Sequence, residues 1–219
     1  MSRPSRNIDQ LLIRAGLELL PETGVRALSV RQVVGRAGAN LGMFHYHFKT
    51  KDAFVRTVLQ HVYDGMFANL TLEARRSESA MEGLRAVLNV LARFGRDNRQ
   101  LLVRLLGDAL GGETAAIQFL QANLPRHLRV LASLISRGQE DGTFKKVPPS
   151  QAMAFLAGSV AGPILLGSAA ISSGFAPPDL AASLEGEVFT DGAISQRIDM
   201  ALEGLAKEPP AVRNSGDRK

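Results

Sequence analysis

Apolar positions recur along this chain every three or four residues, the period of helices that bury one face. Ile8, Leu11, Leu12, Ala15 and Leu19 form such a stripe and predict a helix over about 7–22, ended at Gly24. Ser29-Val30-Arg31-Gln32 has the spacing of a capping box, with Ser29 as the cap and Gln32 reaching back. It opens a short helix whose apolar stripe is Val30, Val33, Val34 and Ala37, closed at Gly38. Asn40 is a good cap for a helix over 41–48, and Thr50 for one from Lys51 to about 74. Further helices are expected over 78–96, over 98–110 with Asp97 as cap, and over 113–123. Pro125 is expected to interrupt before a helix resumes over 125–139 and stops at Glu140-Asp141-Gly142. Pro148 and Pro149 open a helix to about Ile171, 172–178 reads as a loop, and 191–206 as a last helix. Residues 208–219 hold two prolines, several charges and no periodicity, and are expected to be a disordered tail. No strand-like alternation and no internal repeat is present, so the expected fold is all-α.

Charge divides the chain more sharply than hydropathy does. Residues 1–60 hold nine Lys/Arg and four Asp/Glu, whereas 61–219 hold 17 of each sign. A basic block on a neutral body suggests an N-terminal part that faces a polyanion; the alternative is a solvated charged face. The chain has 219 residues, enough for a sizeable core. The absence of cysteine excludes disulfides, thiolate metal sites and a cysteine nucleophile. Residues 1–6 lack an apolar stretch, so export is not expected.

The most informative stretch is 29–51. Two short helices joined at Gly38 have the spacing of a helix-turn-helix, although an αα-corner in any helical protein shares it. On a helical wheel Phe44 and Phe48 point inward, Gly42, Met43 and Tyr46 point outward, and His45 and His47 flank them. Such a helix suits a major groove about 12 Å wide, with Gly42 allowing close backbone approach. Lys49, Lys51 and the start of the next helix suit phosphate oxygens. Arg31 is a plausible further phosphate contact, and Arg3 and Arg6 a basic arm.

The residues Ala37-Gly38-Ala39-Asn40-Leu41-Gly42-Met43-Phe44-His45-Tyr46-His47-Phe48-Lys49-Thr50-Lys51-Asp52-Ala53-Phe54 strongly resemble the DNA-binding signature of the TetR family of bacterial repressors. Ala15, Gly24 and Ser29-Val30 fall where that pattern expects them, and the resemblance is specific over about residues 7–56. Gly138 to Phe144, followed by Pro148, resembles the end of the family's seventh helix and the start of its eighth. The resemblance implies an all-α homodimer with an N-terminal three-helix DNA-binding domain, here 1–54. It implies a C-terminal bundle for effector binding and dimerisation, here 55–207, and release of a palindromic operator when a small effector binds. Leu41, Gly42 and Met43 match base-reading positions, and Lys51 matches the family's lysine. His45 stands where a phosphate-contacting tyrosine is commonest; a neutral imidazole can still donate one hydrogen bond, and Tyr46 or His47 can share the role.

Residues 147–178 carry no charged side chain. Within them Ala154, Gly158 and Gly162 recur every fourth residue. A membrane helix over 152–171 is one reading. Small residues and Pro163 favour instead a helix buried on all sides, partly against a second subunit. Ala154, Gly158 and Gly162, with Ile194, Ile198 and Leu202 of the last helix, are the expected dimer contacts. An effector pocket is expected among Tyr63, Met66, Phe67, Phe94, Leu102, Leu105, Phe119, His127 and Phe155, with core packing as the plain alternative. Its apolar character favours a hydrophobic or amphipathic ligand, with Arg104 or His127 available for an anion. A partner protein in place of a small effector, and an activator or global regulator in place of a repressor, remain open. No metal, cofactor or catalytic constellation is expected: His45 and His47 diverge on their helix, and no phosphate loop or nucleophile motif occurs. The expected setting is the cytoplasm, on the nucleoid.

Overall fold

The computed structural model describes residues 7–207, so Arg3, Arg6 and the expected tail lie outside the described residues. The described chain is helical, with one isolated antiparallel bridge between Phe144 and Ala206. In order come α1 (Ile8–Ala27), α2 (Val30–Ala37), α3 (Leu41–Phe48), α4 (Lys51–Arg76), α5 (Ala80–Asp97), α6 (Arg99–Leu110) and α7 (Thr114–Glu140). Then follow α8 (Pro149–Leu156), a π-turn (Ala157–Ala161), α9 (Gly162–Ser172), α10 (Pro178–Ser183), a second π-turn (Leu184–Val188) and α11 (Asp191–Leu205).

Local chemistry explains most boundaries. Ser29 and Gln32 form the reciprocal capping box, Gly38 ends α2 at φ 63°, and Asn40 and Thr50 cap α3 and α4. Gly24 breaks α1 at φ 71° as expected, but a last turn continues beyond it to Ala27. Asp97 does not cap α6: Asn98 occupies that position, and the Asp97 carboxylate accepts from Arg96 at 2.8 Å. Pro125 does not interrupt α7, which runs unbroken. Pro125 and Gln121 both lie on the exposed side, so the carbonyl that loses its helical donor faces water. The helix opened by Pro149 does extend to the expected end, through a π-turn just before Pro163. The widened turn removes the collision of the proline ring with the preceding turn. The loop expected over 172–178 leads into α10 and the second π-turn, in a stretch to which the sequence assigned no element; its charges and single leucines carry no clear period.

The buried apolar side chains form one connected cluster from α1 to α11. α4 spans it. Its first turns offer Phe54, Val55 and Val58 to α1–α3, and from its middle onward it offers Tyr63, Met66 and Leu70 to α5 and α7. α5 is the central helix of the rest, packed on α4, α7, α9 and α11. The expected interface residues Ile194, Ile198 and Leu202 are at most 1% exposed within the subunit, so they belong to its own core and are corrected here. The opposite side of α11 shows Met200 and Gly204, beside Ala154, Phe155 and Gly158 on the adjoining helix, while Gly162 is half-buried. The helix over 152–171 is therefore buried on one side only.

Close approach of α1 to α4 depends on Gly16, where a Cβ would fall 2.7 Å from Phe54 Cζ and 2.8 Å from Val58 Cγ2. Gly16→Ala should therefore lower unfolding free energy by about 1–3 kcal/mol, the usual range for overpacking, read from urea denaturation.

Candidate functional site

A helix of eight residues cannot be stable alone, and α3 is held by its two inward rings. Phe44 and Phe48 are buried, with ring centroids 5.2 and 5.0 Å from that of Phe54 on α4. That anchoring sets what faces water. Leu41 is 44% exposed and Tyr46 78%; Gly42, His45 and Lys49 are exposed, and Met43 and His47 are half-buried. A Cβ at Gly42 would meet only the Asn40 cap, at 3.2 Å, so this helix surface is open to a partner. Asn40 Oδ1 accepts from the Met43 amide at 3.0 Å, so the side-chain oxygen of Asn40 serves the cap. Among the described residues, Arg31, Lys49 and Lys51 pair with no carboxylate, whereas Arg36 pairs with Glu18 at 3.1 Å. Lys51 Nζ donates to the Arg26 carbonyl at 3.0 Å.

Two details here escape sequence reading. Lys49 has φ 61° and ψ −53°, and the Thr50 amide donates back to the Phe48 carbonyl at 2.6 Å. This is a γ-turn of the strained positive-φ kind, borne by a residue with a β-carbon. The His45 ring Nδ1 lies 3.1 Å from the Lys49 carbonyl. A carbonyl only accepts, so Nδ1 carries the hydrogen and the neutral ring has no donor left at Nε2. A phosphate contact from a neutral His45 therefore requires its Nδ1 to leave that carbonyl, whereas Tyr46 presents an exposed side chain.

The nine residues expected to line an effector pocket fall into separate places. Tyr63, Phe67, Phe119 and His127 meet between α4 and α7. Tyr63 stacks on Phe67 at 5.7 Å and meets Phe119 edge-on at 6.1 Å. The Arg126 guanidinium covers Phe67 at 4.1 Å and Tyr63 at 5.0 Å. Tyr63 donates its hydroxyl hydrogen to the Asn123 carbonyl at 2.8 Å, and His127 Nδ1 lies 3.3 Å from the Tyr63 hydroxyl oxygen. Asn123, itself buried, exchanges hydrogen bonds with Gln60. Met66 and Phe94 instead line an open groove of about 390 Å³ between α4 and α5, together with Glu73 and Arg93. Leu105 is core, Leu102 is half-buried on α6, and Phe155 points away to the Gly204 side of α11. The separation follows from helix rotations that periodicity does not specify.

A junction between α6 and α1 had no local signal, because its partners are 83 residues apart. Asp108 Oδ2 accepts from the Val25 amide at 2.5 Å and the Arg26 amide at 3.4 Å. Arg26 in turn donates from its guanidinium to the Gly111 carbonyl. At Gly24 a Cβ would fall 2.6 Å from Asp108 Oδ2, so both the positive φ and the close approach require glycine.

Burial pushes the His127 imidazole below its ordinary value of 6.5, and burial also raises the Tyr63 phenol against the opposing pull of Arg126. A folded state that resists protonating His127 binds fewer protons than the unfolded chain once pH falls below about 6.5. Stability should therefore be full above that pH and decline below it, and His127→Gln should flatten that part of a Tm-against-pH curve. Lys49→Gly should raise unfolding free energy by about 1 kcal/mol by releasing the γ-turn strain, measured by urea denaturation.

Among known proteins, the profile of the bacterial regulatory proteins of the tetR family matches residues 12–58. The HTH-type transcriptional repressor KstR2 of Mycolicibacterium smegmatis is 24% identical over 147 residues, 66% of this chain and 70% of its own. The solved ketosteroid transcriptional regulator KstR2 of Mycobacterium tuberculosis superposes with TM-score 0.67 at 18% identity, over 94% of this chain and 98% of that one. The transcriptional regulator FadR of Bacillus subtilis, in complex with stearoyl-CoA, superposes with TM-score 0.66 at 16% identity, over 90% and 98%. These structures share the fold: an N-terminal helix-turn-helix followed by a helical C-terminal region. The tetR-family profile thus covers the helix-turn-helix of this chain, and the solved regulators share its helical fold over nearly the whole of its length.

Proposed function

We propose that this protein is a homodimeric repressor that binds a palindromic operator and leaves it when a small hydrophobic or amphipathic effector binds. The observation that carries this reading is the outer face of α3: Leu41, Gly42 and Tyr46 stand open, beside cations that no carboxylate neutralises among the described residues. Residues 1–54 form the DNA-binding domain and 55–207 the effector-binding and dimerisation domain, with α4 crossing from one to the other. In the dimer each α3 enters a major groove about 34–36 Å from its mate. Leu41, Gly42 and Met43 face base edges, while Arg31, Asn40, Tyr46, His47, Lys49 and Lys51 hold phosphates. Lys51 reaches a phosphate by leaving the Arg26 carbonyl, a neutral acceptor that an anion readily outcompetes. The partners are double-stranded DNA, a second copy of the chain and a small effector, in the bacterial cytoplasm.

The second copy is seated on the face that pairs Ala154, Phe155 and Gly158 with Met200 and Gly204. The helix Pro149–Ser172 is long and apolar enough to cross a membrane by length and composition. Its exposed side, however, meets α11 where Phe155 approaches Gly204, and α11 carries Gln196 and Glu203 exposed, polar groups that suit an aqueous dimer and not lipid.

Selection from randomised duplexes, followed by fluorescence anisotropy across a salt series, tests the reading. Binding at least about 10³-fold tighter than random competitor is expected, and failure to enrich any motif would sink it. Lys51→Ala should weaken binding to every sequence and flatten the salt slope by about two units per dimer, one for each phosphate that is no longer neutralised. An unchanged slope would show that Lys51 touches no phosphate. Gly158→Leu should split the dimer on a sizing column while leaving the subunit folded, since no atom lies within 4 Å of a Cβ there. A dimeric variant would move the interface elsewhere, and an aggregate dispersed only by detergent would favour the membrane reading.

A further inference from the structure

A cleft of about 710 Å³ opens between α6 and α9, in the size range of small-molecule sites. Val103 of α6 and Leu166 and Ala169 of α9 form apolar walls, and Phe175 lies at the margin. Leu166 is 74% exposed and Phe175 83%, so two large apolar side chains stand open around the mouth. Arg104 also lines the cleft, exposed and, among the described residues, paired with no carboxylate. Apolar walls with a guanidinium that forms no ion pair complement an apolar molecule that ends in an acid group, while the Asp108 carboxylate at the same cleft is turned to the amides of α1. In the aromatic cluster between α4 and α7, by contrast, Tyr63 and Phe67 stack on one another beneath Arg126.

Asp108 lines the same cleft, one helical turn beyond Arg104, and its Oδ2 accepts from the amides that follow the Gly24 bend of α1. That contact is close: the Val25 amide lies 2.5 Å from Asp108 Oδ2, and a Cβ at Gly24 would fall 2.6 Å from the same oxygen. A shift of α6 that carries Asp108 with it therefore acts on α1 through these two hydrogen bonds. From α1 it reaches the Arg26 carbonyl, to which Lys51 is bonded.

We propose that the α6–α9 cleft binds a small apolar anion through Arg104, and that Asp108 transmits its occupancy to the DNA-binding helices. The coupling half rests on the repressor reading above; the binding half does not. Dodecanoate is the probe, with dodecanol as its uncharged counterpart, titrated into the full chain by calorimetry up to about 1 mM, the weak end of the affinity scale. Saturable binding of dodecanoate is expected, at least tenfold tighter than dodecanol. Arg104→Gln should remove that preference and Ala169→Trp should abolish binding by filling the cleft. Phe119→Leu, in the aromatic cluster, should leave it unchanged. Circular dichroism of each variant separates lost binding from lost folding, and Arg104→Gln alters only an exposed side chain. No saturable binding, or binding lost in Phe119→Leu but kept in Ala169→Trp, would overturn the site. On the selected operator, dodecanoate should weaken DNA binding of the wild type at least fivefold. In Asp108→Ala it should still bind but change DNA affinity less than twofold; undiminished coupling there would overturn the role of Asp108. A chain that binds dodecanoate but no specific DNA would refute the repressor and leave the cleft standing.

Discussion

The contact of Phe44 and Phe48 with Phe54 is the constraint on which the rest depends. α3 is eight residues long, too short to persist by backbone hydrogen bonding, and its two inward rings, with the Asn40 cap, hold it against its neighbours. Because those rings lock the rotation of α3, they also determine which residues are outward. The presented surface is thus a by-product of core packing: Leu41, Gly42 and Tyr46 face water because Phe44 and Phe48 cannot. Strain collects immediately afterwards, at Lys49, where the chain must reverse within one residue to begin α4. A glycine would turn there more easily, but it would bring no charge to a surface whose partner is a polyanion.

Phe54 belongs to α4, so the helix that clamps α3 is also a wall of the second half of the molecule. α4 has 26 residues and runs from the Thr50 cap to Arg76 without a break. Its middle is tied to α7 by the Tyr63, Gln60 and Asn123 hydrogen bonds, which are directional and partly shielded from water. A second link runs through α6, whose Asp108 carboxylate serves two backbone amides at the bend of α1. The helix-turn-helix is therefore held from two sides, by α4 through apolar packing and by α6 through a carboxylate. The two links differ in kind. Apolar contacts are non-directional, whereas the hydrogen bonds of the Asp108 carboxylate to the two amides depend on distance and angle.

Much of this was legible without coordinates. The capping box at Ser29 and Gln32, the Asn40 and Thr50 caps and the Gly38 stop are local devices, each acting within four residues. Their spacing alone placed α2, α3 and the start of α4, and the inward pair Phe44 and Phe48 followed from helical geometry. Expectations failed where the deciding partner was distant or the solvent decided. Pro125 breaks nothing because the carbonyl it orphans is wet, and wetness depends on how α7 lies on α4. Ile194, Ile198 and Leu202 form a good stripe, but a stripe reads the same whether it faces its own core or a second subunit.

The sequence by itself determined the helical class, the order of the long helices, the helix-turn-helix and its outward residues. These depend on periodicity and capping, interactions between residues a few positions apart that any copy of the segment would make. Only the tertiary structure decided which apolar faces remain open, that the expected pocket residues separate into different places, and that His45 bonds the Lys49 carbonyl. It alone brought Asp108 to Gly24 across 83 residues of chain. Such pairings depend on the rotation and offset of whole helices, which arise from packing summed over the entire core and leave no mark at any one position.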